Sequence, residues 1–338
     1  MENSEELLLK IWGSLVNSEN VLIFPHDLPD GDAIGSSVAV ARLMRGLGKK
    51  AYILVDGKVP DNLKFLDYDD FFISDEEQCA RLYPNLDTAI MLDGGDESRI
   101  STRAEVFLSA DKRLCIDHHK TESKKIADIK YCDSNAAATG QLIYRMLKLA
   151  NVEIDAMTGL AIFTAIMTDT GCFQYSNTTR EVFEIAGELY DIGVDFQRAV
   201  IAVYQSNKLA KVKLQSEVLS QLELLCGGMI GFAYVSQEML DKTEALMEES
   251  EGVVEQIRNI EGVELSFLVK EMEEELVKVS MRAKSHIDVS LFAERYGGGG
   301  HMRAAGFSLE LPLADALPML KLAISEYVNE GYGKALCE

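Results

Sequence analysis

Short apolar runs that stop abruptly at acids and histidines recur through the first half of this chain. Val21-Leu22-Ile23-Phe24 runs into Pro25-His26-Asp27-Leu28-Pro29-Asp30-Gly31-Asp32. Thr88-Ala89-Ile90-Met91-Leu92 runs into Asp93-Gly94-Gly95-Asp96, and Leu114-Cys115-Ile116 into Asp117-His118-His119. Such unbroken apolar runs read as short buried strands, and Ala51 to Val55 reads the same way. Between them the apolar residues return with helical spacing. Residues 4–18 follow a Ser cap with Glu close behind, and Ala33 to Leu47 is closed by Gly48. Further helices are predicted at 137–150, at 156–168 leading into Asp169, and at 180–192. Strands alternating with helices predict an α/β fold built on a doubly wound, mainly parallel sheet.

Residues 196–225 read as polar and mostly helical. From about 226 the pattern restarts. Strands are predicted at Met229–Val235, Val263–Lys270 and Leu276–Arg282, with a helix at Val289–Tyr296, a strand after His301 and a last helix near 313–329. The reading is a catalytic domain over 1–195, a helical connector over 196–225 and a smaller α/β domain over 226–338. Glu271 to Glu275 reads as the solvated hairpin between two of those strands.

Composition narrows the picture. A chain of 338 residues has room for two cores. Its acidic start and the lack of any apolar run near the roughly 18 residues of a membrane helix predict neither a signal peptide nor a membrane span. The six cysteines are scattered with no Cys-x-x-Cys pair, which fits reduced thiols in the cytoplasm better than a cysteine zinc site. A net charge of −22 argues against a protein that tracks along long nucleic acid. Small phosphorylated substrates stay open, because metal ions and a few arginines can overcome the global field close in.

In open α/β sheets ligands bind at the carboxyl ends of the strands, where these acids and histidines lie. His118 and His119 are expected to leave their strand in different directions, so that one can bind a metal while the other serves chemistry or substrate. His26, Asp30, Asp32, Asp93, Asp117, His118, His119 and Asp169 together mix hard carboxylate oxygens with imidazole. That donor set suits Mn²⁺, with Zn²⁺, Co²⁺ or Fe²⁺ as alternatives. So many ligands allow two ions about 4 Å apart, bridged by one carboxylate and by one water that both ions acidify. This is apparatus for phosphoester hydrolysis. Each residue alone has a plainer role: Asp30 and Asp32 flank Gly31 in a turn, Asp93-Gly94 is a common turn, and Asp169 could terminate a helix. Their joint placement is what points to a site.

The second half has a separate candidate. Four consecutive glycines, Gly297 to Gly300, precede His301, with Arg303 close by. Glycine is favoured where a backbone approaches something closely or takes positive φ, and its N–H groups can cradle phosphate oxygens. Ser280-Met281-Arg282-Ala283-Lys284-Ser285 offers basic and hydroxyl side chains at a strand end, which suits a terminal phosphate. Lys284, His286 and Arg303 are further candidates, Arg258 is as readily a surface residue, and a loop that merely turns the chain is the alternative for the glycines.

In order, His26-x-x-x-Asp30-x-Asp32, Asp93, Asp117-His118-His119 and Asp169 resemble the four motifs of the DHH phosphoesterase superfamily. Gly297 to His301 with Ala304-Ala305-Gly306-Phe307 resembles the signature of its associated C-terminal domain. The two-domain length is similar to the bacterial nanoRNase/pAp phosphatase (bifunctional oligoribonuclease) group. The resemblance implies a catalytic and a substrate-binding domain with a cleft between them, and two Mn²⁺ ions, with Mg²⁺, Co²⁺, Zn²⁺ or Fe²⁺ as alternatives. His26, Asp30 and Asp93 would hold one ion; Asp32, Asp93, His118 and Asp169 would hold the other, with Asp93 bridging. His119 would donate to the scissile phosphate or leaving group, and Asp117 would orient an imidazole. Arg282, His301, Gly298, Gly299, Gly300, Ser280, Ser285 and Arg303 would face substrate. The implied reaction is exonucleolytic hydrolysis of very short oligoribonucleotides to mononucleotides, and dephosphorylation of 3′-phosphoadenosine 5′-phosphate (pAp). A c-di-AMP or pApA phosphodiesterase is the nearest alternative; a silent nucleotide-binding module is a third. Expected partners are short RNA and pAp-like nucleotides, with no long nucleic acid and no membrane; the oligomeric state is open, a homodimer included.

Overall fold

The computed structural model describes residues 4–66, 70–74, 76–119 and 126–332. Part of the acidic stretch from Asp67 to Glu77, and the loop residues Lys120 and Thr121, lie outside them. The chain divides into two compact units, Met1–Ser206 and Asn207–Glu338.

The first unit contains strands β1 (Asn20–Pro25), β2 (Lys50–Leu54), β3 (Phe72–Ile73), β4 (Thr88–Leu92), β5 (Lys112–Asp117) and β6 (Ile129–Cys132). Its helices are α1 (Ser4–Val16), α2 (Gly31–Gly46), α3 (Glu76–Leu82), α4 (Ala104–Leu108), α5 (Thr139–Leu149), α6 (Ala156–Asp169), α7 (Arg180–Asp191) and α8 (Phe196–Tyr204). The strands form one parallel sheet in the order β3-β2-β1-β4-β5-β6. Both faces are covered, as the unbroken apolar runs predict. Val21, Ile23, Ile90, Leu92, Leu114 and Ile116 enter one core, while Leu22, Phe24, Ala89, Met91 and Cys115 enter another. Strands β3 and β6 went unpredicted: the first has two residues, and the second interrupts its apolar residues with Lys130.

The strand order reverses between β1 and β4, whose carboxyl ends lie side by side, Pro25 opposite Leu92. That is the switch-point crevice in which doubly wound sheets bind ligands. Helix α2 rises from it and packs on α6 through two glycines one turn apart. A Cβ at Gly31 would lie 2.3 Å from Thr168 Cγ2, and one at Gly35 would lie 2.5 Å from the Ala161 carbonyl oxygen. Only hydrogen fits there, and the close approach brings the start of α2, with Asp32, against the end of α6, with Asp169.

The expected connector is divided between the units. Helix α8 belongs to the first, where Phe196 stacks on Phe163 at 3.8 Å. Helix α9 (Leu209–Ser220) belongs to the second.

The second unit continues with β7 (Glu223–Leu225), β8 (Ile230–Val235), α10 (Gln237–Thr243), α11 (Val253–Arg258), β9 (Leu265–Glu273), β10 (Leu276–Ala283), α12 (Val289–Glu294), β11 (Gly299–His301), β12 (Ala304–Leu309) and α13 (Leu313–Tyr332). Its sheet runs β11-β12-β10-β9-β8-β7 and is antiparallel except for β8 with β9. One face carries the aromatic core of Phe232, Phe267, Phe292 and Phe307, closed by residues of α12 and α13. On the other, apolar residues of α9, α10 and α11 cover Ala233, Val235 and Leu268 of β8 and β9. The rest of that second face, over β10 and β12, consists of Lys278, Ser280, Arg282, Ala304, Gly306 and Ser308, none of them fully buried. Among the described residues no helix is long and apolar enough to cross a membrane.

Candidate metal centre and phosphate-binding face

Three loops and one helix end deliver the candidate ligands of the first unit. After β1 the chain turns through His26 to Asp30, whose carboxylate caps α2 by accepting from the N–H groups of Asp32 and Ala33 at 3.0 and 3.1 Å. Asp93 follows β4 directly, in the left-handed region at φ 60°. Such backbone conformations persist where the surroundings over-determine them, often at functional sites. Asp117 ends β5, and Asp169 ends α6.

The two oxygens of Asp93 face different neighbours. Oδ2 lies 3.5 Å from His26 Nε2, and Oδ1 lies 3.5 Å from His118 Nε2. Around His26 stand Asp93 and Asp30, the latter at 3.8 Å; around His118 stand Asp169 at 3.1 Å and Asp32 at 3.7 Å. His26-Asp30-Asp93 and Asp32-His118-Asp169 each bring three donor atoms close enough to share one ion. Asp93-His118-His119 does so as well. The two histidine rings thus stay together, 4.3 Å apart, both bordering Asp93. His119 does not swing fully away because Asp117 Oδ1 accepts from both its backbone N–H at 3.1 Å and its Nδ1 at 2.8 Å.

The donor set fits divalent ions. His26 Nδ1 donates to the Asp27 carbonyl at 2.6 Å and His118 Nδ1 to the Ala136 carbonyl at 3.3 Å, which turns each Nε2 toward the carboxylates. His118 Nε2 is buried and makes no hydrogen bond among the described residues although three carboxylates surround it. An imidazole nitrogen with three carboxylates within 3.1–3.7 Å and no well-aligned hydrogen bond to any of them is what a ligand presents to a cation.

The electrostatics agree. Burial opposes a positive charge on His26, His118 and His119, yet the surrounding carboxylates win and raise all three to about 10. Burial together with the neighbouring Asp93 and Asp169 pushes Asp32 well above the usual carboxylate range. Asp169 rises to about 6 through burial, with Asp30 and Asp93 adding to it and His118 opposing. Burial works against Asp93 too, but hydrogen bonds from His119 and His26 hold it well below that range. Protons therefore occupy the imidazoles at neutral pH until an ion displaces them. Binding of Mn²⁺ at pH 7 should release protons, and its apparent affinity should rise with pH. Titration calorimetry in buffers of different ionisation enthalpy reads this directly; a heat independent of buffer would contradict it.

Three residues around these ligand candidates, Ser36, Thr139 and Gly140, carried no sequence signal of their own. Thr139 Oγ1 donates to Asp93 Oδ1 at 3.0 Å. The fully buried Asp32 accepts from the N–H groups of Thr139 and Gly140 at 2.6 and 2.8 Å, and from Ser36 Oγ at 3.1 Å. The start of α5 thus serves as a hydrogen-bonding cradle for a candidate ligand 107 positions earlier in sequence. The small-residue run Ala136-Ala137-Ala138 before it is the one trace in the sequence.

In the second unit, strand register gathers several predicted substrate residues. His301 pairs with Ala304, and Ala304 with Arg282, so His301 and Arg282 share one face two strands apart. Gly299, Gly306 and Ser280 form the next row on that face. Arg282 Nε donates to Glu255 Oε1 at 2.9 Å and Nη1 to the Met281 carbonyl at 3.0 Å. Ser285 lies past the end of β10, where its hydroxyl donates to Glu264 at 2.6 Å and its carbonyl accepts from Arg303 at 3.2 Å. Lys284 reaches the Ile260 carbonyl at 2.9 Å.

The glycine tract has structural work that its composition hid. The Gly297 and Gly298 N–H groups donate to the Glu294 and Ala293 carbonyls at the end of α12. A Cβ at Gly298 would lie 2.3 Å from the Gly306 carbonyl, and one at Gly300 would lie 2.4 Å from that of Ala304. The backbone that approaches these two glycines is that of β12; space beside Gly299 is open.

Comparison with known proteins agrees with both halves. The model of the DHH family, N-terminal domain, matches residues 20–170, and that of the DHHA1 domain matches residues 230–330. The chain is 32% identical over 315 residues to the bifunctional oligoribonuclease and PAP phosphatase NrnA of Thermus thermophilus, covering 92% of this chain and 91% of that protein. It is 23% identical to the cyclic-di-AMP phosphodiesterase PdeA of Listeria monocytogenes, covering 93% of this chain but 48% of the relative. An exopolyphosphatase-related protein from Bacteroides fragilis shares the fold, with a TM-score of 0.89 at 24% identity over 95% of this chain and 96% of that one.

Proposed function

This chain belongs to the DHH family of phosphoesterases, and we propose that it hydrolyses very short oligoribonucleotides to mononucleotides and dephosphorylates pAp. The observation that carries the reading is Asp93, buried with one oxygen toward His26 and the other toward His118. His26, Asp30 and Asp93 would hold one divalent ion; Asp32, Asp93, His118 and Asp169 would hold the other. Mn²⁺ is the ion proposed, with Mg²⁺, Co²⁺, Zn²⁺ and Fe²⁺ as alternatives. When bound, such ions supply Lewis acidity that lowers the pKa of a water and neutralises charge on phosphate oxygens.

The remaining steps fall to side chains. Asp117 accepts from His119 Nδ1, fixing the ring so that Nε2 can donate to a phosphate oxygen or to the departing oxygen. Thr139 and the first N–H groups of α5 hold Asp93 and Asp32 in place. In the second unit Arg282 and His301, with Ser280 and Gly299 in the adjoining row, would take a phosphate that does not react; Gly298, Gly300, Ser285 and Arg303 shape the edges of that face. Similarity to a larger cyclic-di-AMP phosphodiesterase supports a second reading, in which the substrate is a linear or cyclic dinucleotide.

A hydrolysis panel separates these readings: RNAs of two to five nucleotides, an RNA of about 30 nucleotides, pAp, pApA and c-di-AMP. Turnover should fall steeply with length, because a net charge of −22 leaves no extended basic track for a long backbone. Degradation of the long RNA as efficiently as of a trimer at matched salt would sink the proposal. Preference for c-di-AMP over every linear substrate would favour the second reading.

A further inference from the structure

One row further along β10 from Ser280, the sheet places two lysines directly opposite each other. Lys278 pairs with Lys270 across β10 and β9, on the same face as Ser280 and Arg282. Like charges in that position repel. Neither ammonium has an ion-pair or hydrogen-bond partner among the described residues. Lys270 is also partly buried, and burial holds it below the usual lysine range even though Glu251 and Glu255 pull the other way. The neighbours on this face, Ala304, Gly306 and Ser308, are small, so a ligand can lie against the sheet. Just beyond, β9 and β10 are joined through Glu273, Glu274 and Glu275, all exposed.

Resting on the reading that this face takes nucleotide phosphates, we propose that Lys270 and Lys278 form a second phosphate subsite, and that the acidic turn beyond it ends the track. Arg282 and Lys278 lie four residues apart, about 13–14 Å along an extended strand, with the Ser280 hydroxyl between them. Adjacent backbone phosphates, roughly 6–7 Å apart, would both be met by cations where the long Arg282 and Lys278 side chains lean toward each other over Ser280. A phosphate further on would meet the glutamates. The stripe therefore sets substrate length within a protein whose overall charge is negative.

The test uses di-, tri- and tetra-adenylate without terminal phosphates, which add one non-reacting phosphate at each step. The variant is Lys270→Met with Lys278→Met, which keeps the apolar stems. The tetramer-to-trimer ratio of kcat/KM should fall on the order of tenfold. For the tetramer, the slope of log kcat/KM against log salt should become shallower by roughly 0.7 for each phosphate that the lysines no longer neutralise. Thermal stability should hold or rise, since the repelling pair is gone. Conversely, Glu274→Lys with Glu275→Lys should raise turnover of the pentamer relative to the tetramer several-fold. An unchanged tetramer-to-trimer ratio in the lysine variant, with wild type still favouring trimer over dimer, would overturn the subsite alone. An unchanged pentamer ratio in the glutamate variant would overturn the acidic stop. Failure of the wild type on all three oligomers would overturn the nucleotide reading and the subsite with it.

Discussion

Replacing Asp93 by alanine should reduce hydrolysis by at least about a thousandfold while the protein stays folded. Asp93 is the carboxylate that both candidate ion groups would share, so its loss weakens both together. Its removal also leaves Thr139 Oγ1 without an acceptor and takes a carboxylate away from His26, His118 and His119. The crowding of Asp32 and Asp169 is relieved at the same time, so the net effect on the fold is small. Asp93→Asn is the stricter form, since it keeps the shape and removes the charge. More than a tenth of wild-type turnover in either variant, with an unaltered circular dichroism spectrum, would remove the shared-carboxylate account.

The second large effect concerns Arg282 and depends on the substrate. A charge-assisted hydrogen bond to phosphate is worth roughly 1.5–3 kcal/mol, so Arg282→Ala should cost about ten- to a hundredfold in kcat/KM on a substrate with an extra phosphate. On bis-p-nitrophenyl phosphate, which has no such group, the loss should be close to nothing. Interactions with a non-reacting part of the substrate, once removed, raise KM and lower kcat to the extent that they position the scissile bond. Part of the deficit comes from Glu255, whose carboxylate loses its arginine and would then face the incoming phosphate. Arg282→Ala combined with Glu255→Gln should recover some of it. His301→Ala should follow the same substrate pattern. Equal losses on both substrates would place these residues in the metal centre or in folding instead.

The candidate metal centre was legible in the sequence because most of its candidate ligands follow apolar runs that mark strand ends, while Asp169 closes a predicted helix. The order of the strands was not legible, yet the site needed only their carboxyl ends to converge. What stayed hidden depends on packing between distant segments. The cradle for Asp32 at the start of α5 is set by packing of α2 against α5 and α6, through Gly35 and Gly140, which read as ordinary helix residues, and Gly31, which read as part of a turn. The glycine tract carries structural work as well. Four glycines in a row suggested a phosphate nest, but two of their N–H groups close α12 and two of their missing side chains make room for β12. Gly297 and Gly299 keep open space beside them, and Gly297 takes a positive φ of 74°. Strand β11 could not be read from three residues, Gly299 to His301, because its partner rather than its composition makes it a strand.

The proposed chemistry turns on two divalent ions sharing Asp93. Anomalous diffraction from crystals soaked in Mn²⁺ tests it most directly. Two peaks are expected about 3.5–4 Å apart, one bounded by His26 and Asp30, the other by Asp32, His118 and Asp169, with Asp93 reaching both. A single peak, or two peaks of which one lies out of reach of Asp93, would contradict it.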